Sequence, residues 1–457
     1  MAKEGLSAAH QELLRRRLAR LRKAEPSLSF AQERFWFLDQ LDPDSSEYHI
    51  TVLLKVEGAL DTVALAGALG QLGQRHAALR TTFPSRSGAP DAVVADEPPN
   101  VRHIFAGTQS LEPSVDLRDF CRAFHRQPFD LAQGPLWRVA HVALGQERSA
   151  LVICLHHMIT DGWSIGLLAR DLSGLYNAKR GGTLVADLPR GATYAELASS
   201  QRKALTGPRL EEQVSHWREV LDGAPDAVAL PTDRPAPPMV QSRGATASFR
   251  FNDAQVAAAS KVMDNLGATP YQLFLSLFAG FLGRMGSTED LVIGTSYAGR
   301  DRTGSHTVAG AFVNTLPLRL RPKAESTLSD LFIETRAALR EAVAHSELPF
   351  EKLVSELQPI RDARRTPLFN VFFELRVHHE IPAWEGLVVH DVEVDVGEAP
   401  FDLTLAVDPR GDRFGATLQY RTDLFDRETI DELWRSFSMF CSHTLGDMSA
   451  PLGQAPL

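Results

Sequence analysis

The chain has 457 residues, 44% of them hydrophobic, which is too much for one ordinary core and sets an expectation of two or three domains. A formal net charge of -9 argues against a counterion-releasing nucleic-acid surface, and no stretch reaches the roughly 18 apolar residues of a membrane span. Cys121, Cys154 and Cys441 share no close spacing, so neither a disulfide framework nor a cysteine metal site is indicated, and a reducing, cytoplasmic compartment is expected.

In chain order, residues 6–23 read as a terminal helix capped by Ser7 and ended by Pro26. The segment 28–50 crowds Phe30, Phe35, Trp36 and Phe37 before a Pro43 turn, and by itself this is core. Residues 50–56 alternate as a strand. Asp61 caps a helix bearing Leu65, Leu69, Leu72 and Leu79, and Arg80 stands at its end, where solvation is the default reading. Residues 84–113 read as a hairpin with loops, and 128–144 as a turn leading into a strand.

Residues 150–164, ALVICLHHMITDGWS, organise the first half. The run Leu151, Val152, Ile153, Cys154, Leu155 is too short for a capped helix and reads as a strand buried on both faces. It ends in His156 and His157, Asp161 and Gly162 break the pattern, and Ser164 can cap a helix carrying Ile165, Leu168, Leu172, Leu175 and Tyr176. Strand side chains alternate, so the two histidines should diverge, one structural and one functional. Residues 181–193 and the proline-rich 230–238 read as linkers, with a lobe boundary near 190.

The second half opens with a strand at 249–251, helices at 253–266 and 271–284, and a buried strand within 289–301 that ends in a glycine-bearing turn with Arg300. A strand at 310–321 carries an uncommon Asn314-Thr315 among apolar neighbours. Helices at 327–344 and 351–357, strands near 369–376, 387–395, 401–407 and 414–421, and a helix near 427–445 close the chain. Both halves mix α and β, which suggests an α/β fold of two similarly built lobes.

Adjacent strand histidines diverge and no nearby run completes a ligand set, so a zinc site is not indicated. A glycine-rich phosphate loop is missing. What remains is a histidine at a turn, an aspartate four residues on, and backbone N–H groups opening a helix. Those parts suit acyl transfer between two bound substrates, with imidazole positioning or deprotonating a nucleophile and nearby donors stabilising an oxyanion.

HHMITDG (residues 156–162) resembles the HHxxxDG signature of the condensation domains of nonribosomal peptide synthetases, within the chloramphenicol-acetyltransferase-like acyltransferases. LSFAQERFWFLDQL, RHAALRTTF, VIGTSYAGRD, GAFVNTLPLR, HSELPFEKLV and RTPLFNVFFEL resemble that family's other core motifs, in its order, from about residue 27 to the C-terminus. The resemblance implies residues 27–190 and 191–457 as two acyltransferase-like lobes in a V-shaped pseudo-dimer, after an N-terminal helix or linker at 1–26. It implies a tunnel entered from opposite faces by carrier-protein phosphopantetheine arms, with no cofactor or metal held by the chain and no nucleic acid or membrane as partner.

Carried over by motif, His157 is catalytic and His156 its structural neighbour. Asp161, followed by Gly162, buttresses the loop and pairs with Arg300 across the lobe junction, while Arg80 and Asn314 lie near the tunnel. The family's Tyr-x-Asp-Tyr-Ala-like segment survives only as Tyr194-Ala195, and no role is assigned there.

The intact HH pair argues against heterocyclisation, no EGHGR-like motif marks epimerisation, and recruitment domains that have lost activity disrupt the His-His-Asp set. Gly162-Trp163-Ser164 looks more like domains taking an L-configured donor. The expectation is either a stand-alone enzyme or a domain excised from a longer synthetase, so an ester product stays open beside an amide. The alternatives are an acyl-CoA-dependent acyltransferase, whose plant members carry a DFGWG segment absent here, and a catalytically silent docking module.

Overall fold

The computed structural model describes residues 28–86, 88–97, 103–106, 117–182, 192–238, 242–358, 366–376, 381–410 and 414–457. The helix expected at 6–23 and most of the linker expected at 181–193 lie outside the described residues. Two compact units divide the chain. The first comprises Met1–Thr206, Arg300–Phe312 and His379–Val394, and the second comprises the remainder.

The first unit is built on a five-stranded mixed sheet in the order Val388–Val392, His49–Glu57, Arg148–His156, Trp137–Gly145, His103–Ala106. Arg148–His156 sits in the middle, paired antiparallel on both sides, and that position explains its unbroken apolar run. Leu151, Val152, Cys154 and Leu155 are all buried. The helix Gly162–Gly181 follows at once, buries Leu167, Leu168, Leu172, Leu175 and Tyr176, and stops at Gly182 in the left-handed region (φ 63°). It packs against the helix Thr62–Arg75, whose cap is Asp61 as its sequence position requires. Each fully buried leucine of this layer contributes about 1.5–3 kcal/mol.

The boundary expected near 190 moves to 206/207 because the helix Tyr194–Ala204 is fastened to the first unit. Arg202 forms a 2.6 Å ion pair with Glu33 and donates to the Leu28 carbonyl. Two later segments also return to this unit. Trp384 packs on Tyr176 at 4.9 Å, Asn177 bonds Ala383 O and Glu385 N–H at 2.8 and 2.7 Å, and Val388–Val392 completes the sheet edge.

The second unit holds a six-stranded mixed sheet in the order Asn314–Leu320, Leu291–Tyr297, Val371–Leu375, Leu403–Asp408, Gly415–Arg421, Gly244–Arg250. The helix Pro270–Gly286 starts at a Thr269/Gln272 capping box with proline in its first turn, and is buried on every face from Leu273 to Gly283. Gly294 lets the sheet meet the Phe369 ring, where a Cβ would stand 2.1 Å from a ring carbon. The proline-rich stretch 230–238 is docked on this unit and is not a linker between units. Asp233 accepts the Asp426 N–H and the Thr429 hydroxyl, both at 2.7 Å, and its own N–H reaches Leu424 O at 2.9 Å.

Among the described residues, no single helix is long and apolar enough to cross a membrane. None of the described His, Cys, Asp and Glu residues form a group that could hold a metal ion.

Candidate active site

The central strand of the first unit ends at His156, and His157–Ile159 form a short 3-10 turn. The strand alternation that predicted divergence therefore stops one residue early, yet the two rings do diverge. His156 is buried and meets His49 and Phe129 edge-on at 5.7 and 6.2 Å. Its Nδ1 accepts the Met158 N–H at 3.0 Å, which closes the turn. His157 is partly exposed and stacks on Phe35 at 5.1 Å, tilted by 26°. The His157 N–H donates to Tyr48 O at 2.7 Å, and its ring Nδ1 is buried without a hydrogen-bond partner.

Burial holds the His156 imidazole well below the usual histidine range, helped by His49 and His157. Burial also lowers His157, against the opposing field of Asp161. Both rings are accordingly neutral near pH 7. A group neutral when folded but free to protonate when unfolded makes stability rise with pH, so this contribution is full above the unfolded value of about 6.5 and is lost as pH falls from there toward the depressed folded value. Asp39, pushed up to about 6 chiefly by burial, runs the other way. A matched comparison isolates the histidine. His156→Asn keeps an acceptor for the Met158 N–H but cannot titrate, so its melting temperature should fall less steeply than wild type between pH 7 and pH 5. Parallel Tm profiles would refute the assignment.

Asp161, and not Ser164, caps the helix. Its extended backbone (φ -143°, ψ 178°) aims the carboxylate at the first turn, where Oδ1 accepts the Ser164 N–H at 2.8 Å. Ser164, one turn into the helix, adds its hydroxyl to the same oxygen at 2.7 Å. Arg300 Nη2 donates to Asp161 Oδ1 and Oδ2 at 2.8 and 3.1 Å and to Ser164 Oγ at 2.7 Å. The Phe312 N–H completes the set on Oδ2 at 2.9 Å. Asp161 and Arg300 are 1% and 3% exposed. All of this lies inside the first unit, so the pair expected to bridge a lobe junction joins two segments of one unit. Both Asp161 oxygens are thus taken by donors from its own helix start and from Arg300–Phe312.

Gly162 is exposed at the first helical position, and a Cβ there would meet nothing within 4 Å. Trp163 is 41% exposed, and its Nε1 donates to His306 O at 3.1 Å. Arg80 and Asn314 both bind backbone carbonyls. The Arg80 guanidinium donates to Gly73, Gln74 and Ala95 carbonyls, fastening the end of the helix Thr62–Arg75. Asn314 lies in the second unit and gives its Nδ2 to Ser346 and Leu348 carbonyls at 2.9 and 3.0 Å, while Oδ1 accepts the Phe350 N–H at 2.9 Å.

Sequence reasoning missed Tyr48, Gln32 and Phe312, read Phe35 only as core and assigned Tyr194 no role. One signal was available: Ser29 and Gln32 spell an S-x-x-Q capping box, and both of its bonds form at 3.1 Å.

The family description "Condensation domain" matches residues 23–457. A phosphinothricin tripeptide synthetase, PhsC, of Streptomyces viridochromogenes is 35% identical over 436 residues, or 94% of this chain, and the chain spans 40% of that relative's length. The crystal structure of the X-domain from teicoplanin biosynthesis aligns with a TM-score of 0.85 at 27% identity, covering 95% of this chain and 98% of that one. The first condensation domain of the calcium-dependent antibiotic synthetase, solved with a substrate analogue, aligns at 0.79 with 21% identity over 94% and 98% and shows the same mixed α/β fold.

Proposed function

The chain belongs to the condensation-domain family of nonribosomal peptide synthetases, and from that premise we propose that it joins a carrier-bound acyl or aminoacyl thioester to an acceptor amine. The observation that carries the reading is the neutral, partly exposed His157, held on a turn fixed at both ends. In the reaction the amine nitrogen attacks the thioester carbonyl carbon. The C–N bond forms, the C–S bond breaks, and the proton lost by nitrogen ends on the carrier thiol. His157 takes that proton as the nitrogen becomes cationic and returns it to sulfur. The bare, exposed Gly162 leaves room for a substrate close to the helix start. The carriers supply the phosphopantetheine arms as part of the substrates.

The same imidazole serves an alcohol acceptor with a larger relative contribution. An aminoacyl amine has a reference pKa of about 7.7–8.0, so a useful fraction is already neutral at pH 7. An alcohol is almost wholly protonated there and needs concerted proton removal. With matched amine and alcohol acceptors, His157→Ala should lower kcat/KM for ester formation more than for amide formation. Equal fractional losses would mean that His157 only positions or polarises the reactants.

Similarity to the teicoplanin X-domain, which is also solved in complex with OxyB, supports a second reading, a docking module without chemistry. Under it, carriers loaded with donor and acceptor would stay unchanged in mass however long they are incubated with the protein.

A further inference from the structure

The turn that carries His157 is held at both ends, and the second anchor uses residues with no assigned role. Met158, the next residue, has its N–H on His156 and its carbonyl on Gln32 Nε2 at 3.2 Å. Gln32 is buried at the start of the helix Phe30–Leu41, one turn before Phe35, so a single helix face supplies both the anchor of the turn and the ring stacked on His157.

Gln32 is itself fixed by Ser29 through the capping box. Ser29 Oγ lies 2.8 Å from the Tyr194 hydroxyl, which also lies 2.7 Å from Ala311 O. A phenol has one proton and a carbonyl can only accept, so Tyr194 donates to Ala311 and Ser29 donates to Tyr194. The residue after Ala311 is Phe312, whose N–H binds Asp161. The Tyr194 ring meets Phe312 edge-on at 4.8 Å and covers Gly310 so closely that a Cβ there would stand 2.1 Å from a ring carbon. Met158, Gln32, Ser29, Tyr194, Ala311, Phe312 and Asp161 thus form a closed circuit around the turn.

We propose that Gln32 and Tyr194 are positioning residues for His157, acting through this circuit to fix where its ring stands. Tyr194→Phe deletes one hydroxyl and keeps the ring against Phe312. Gln32→Met keeps the length of the side chain and removes both of its polar contacts.

The rate arm of the test rests on the condensation reading, and each variant should lose about ten- to a hundredfold in kcat with KM changed less than about twofold. In a His157→Ala background the same substitutions should cost the residual rate almost nothing, because the group they position is gone. A second arm does not depend on turnover. In protein labelled at histidine, the ring resonances of His157 should shift in both variants, while those of His216, in the second unit, stay in place. Equal fractional losses with and without His157, or a His157 spectrum unmoved by either substitution, would overturn the proposal. If wild type forms no product with any substrate pair, the condensation reading fails while the spectra still decide the positioning role.

Discussion

His157→Ala should lower kcat/KM for condensation by about 10²- to 10⁴-fold, the usual range for a positioned general base, while the protein stays folded. The ring is partly exposed and its Nδ1 makes no hydrogen bond, so little of the fold depends on it. The lost stacking on Phe35 is worth about 0.5–1.5 kcal/mol. His156→Ala is the opposite case. It leaves the buried Met158 N–H without its acceptor, at about 1–3 kcal/mol, and opens a cavity between His49 and Phe129. Thermal unfolding should therefore rank His156→Ala well below His157→Ala, and activity should rank them the other way when assayed well below the lower Tm. A reversed stability ranking would mean that the roles of the two rings are exchanged.

Asp161→Ala should cost about 3–5 kcal/mol, because it leaves the Arg300 guanidinium buried without its counter-charge. At about 2–4 °C per kcal/mol for a unit of this size, Tm should drop by roughly 6–20 °C. Arg300→Met should cost less. Asp161 would keep the Ser164 N–H, the Ser164 hydroxyl and the Phe312 N–H, whereas an abandoned Arg300 keeps only Ser164 Oγ and the Ser305 and Val308 carbonyls. Both variants should also lose activity, since the turn is released at its Asp161 end. Unfolding free energies for both within about 1 kcal/mol of wild type would contradict a buried, committed pair.

The strand, the turn and the following helix were legible in residues 150–164 because their signals are local: a short apolar run, two turn residues, a helical stripe. The cap was misplaced because Asp161 and Ser164 are both good cap formers, and only the backbone angles decide which stands at the boundary. The partners of the turn were not legible. Gln32 lies 126 residues from Met158, and Ser29 lies 165 residues from Tyr194, so no local pattern joins them. Arg80 and Asn314 drew attention through the family motifs, Asn314 also as a polar residue among apolar neighbours. Backbone carbonyls consume most of their hydrogen-bonding capacity, and those carbonyls are placed only by the fold. Nor could a single division near 190 show that Arg300–Phe312 and His379–Val394 return to the first unit from far along the chain.

On the proposed reading, His157 on its fixed turn drives transfer between carrier-bound substrates. Its most direct test is intact-protein mass spectrometry of donor- and acceptor-loaded carrier proteins incubated with wild type or His157→Ala. With wild type the donor carrier should lose the mass of its acyl group and the acceptor should gain it, while His157→Ala should leave both masses almost unchanged over the same interval. Transfer by His157→Ala at the wild-type rate, or no transfer by wild type across a panel of acyl and aminoacyl donors, would contradict it.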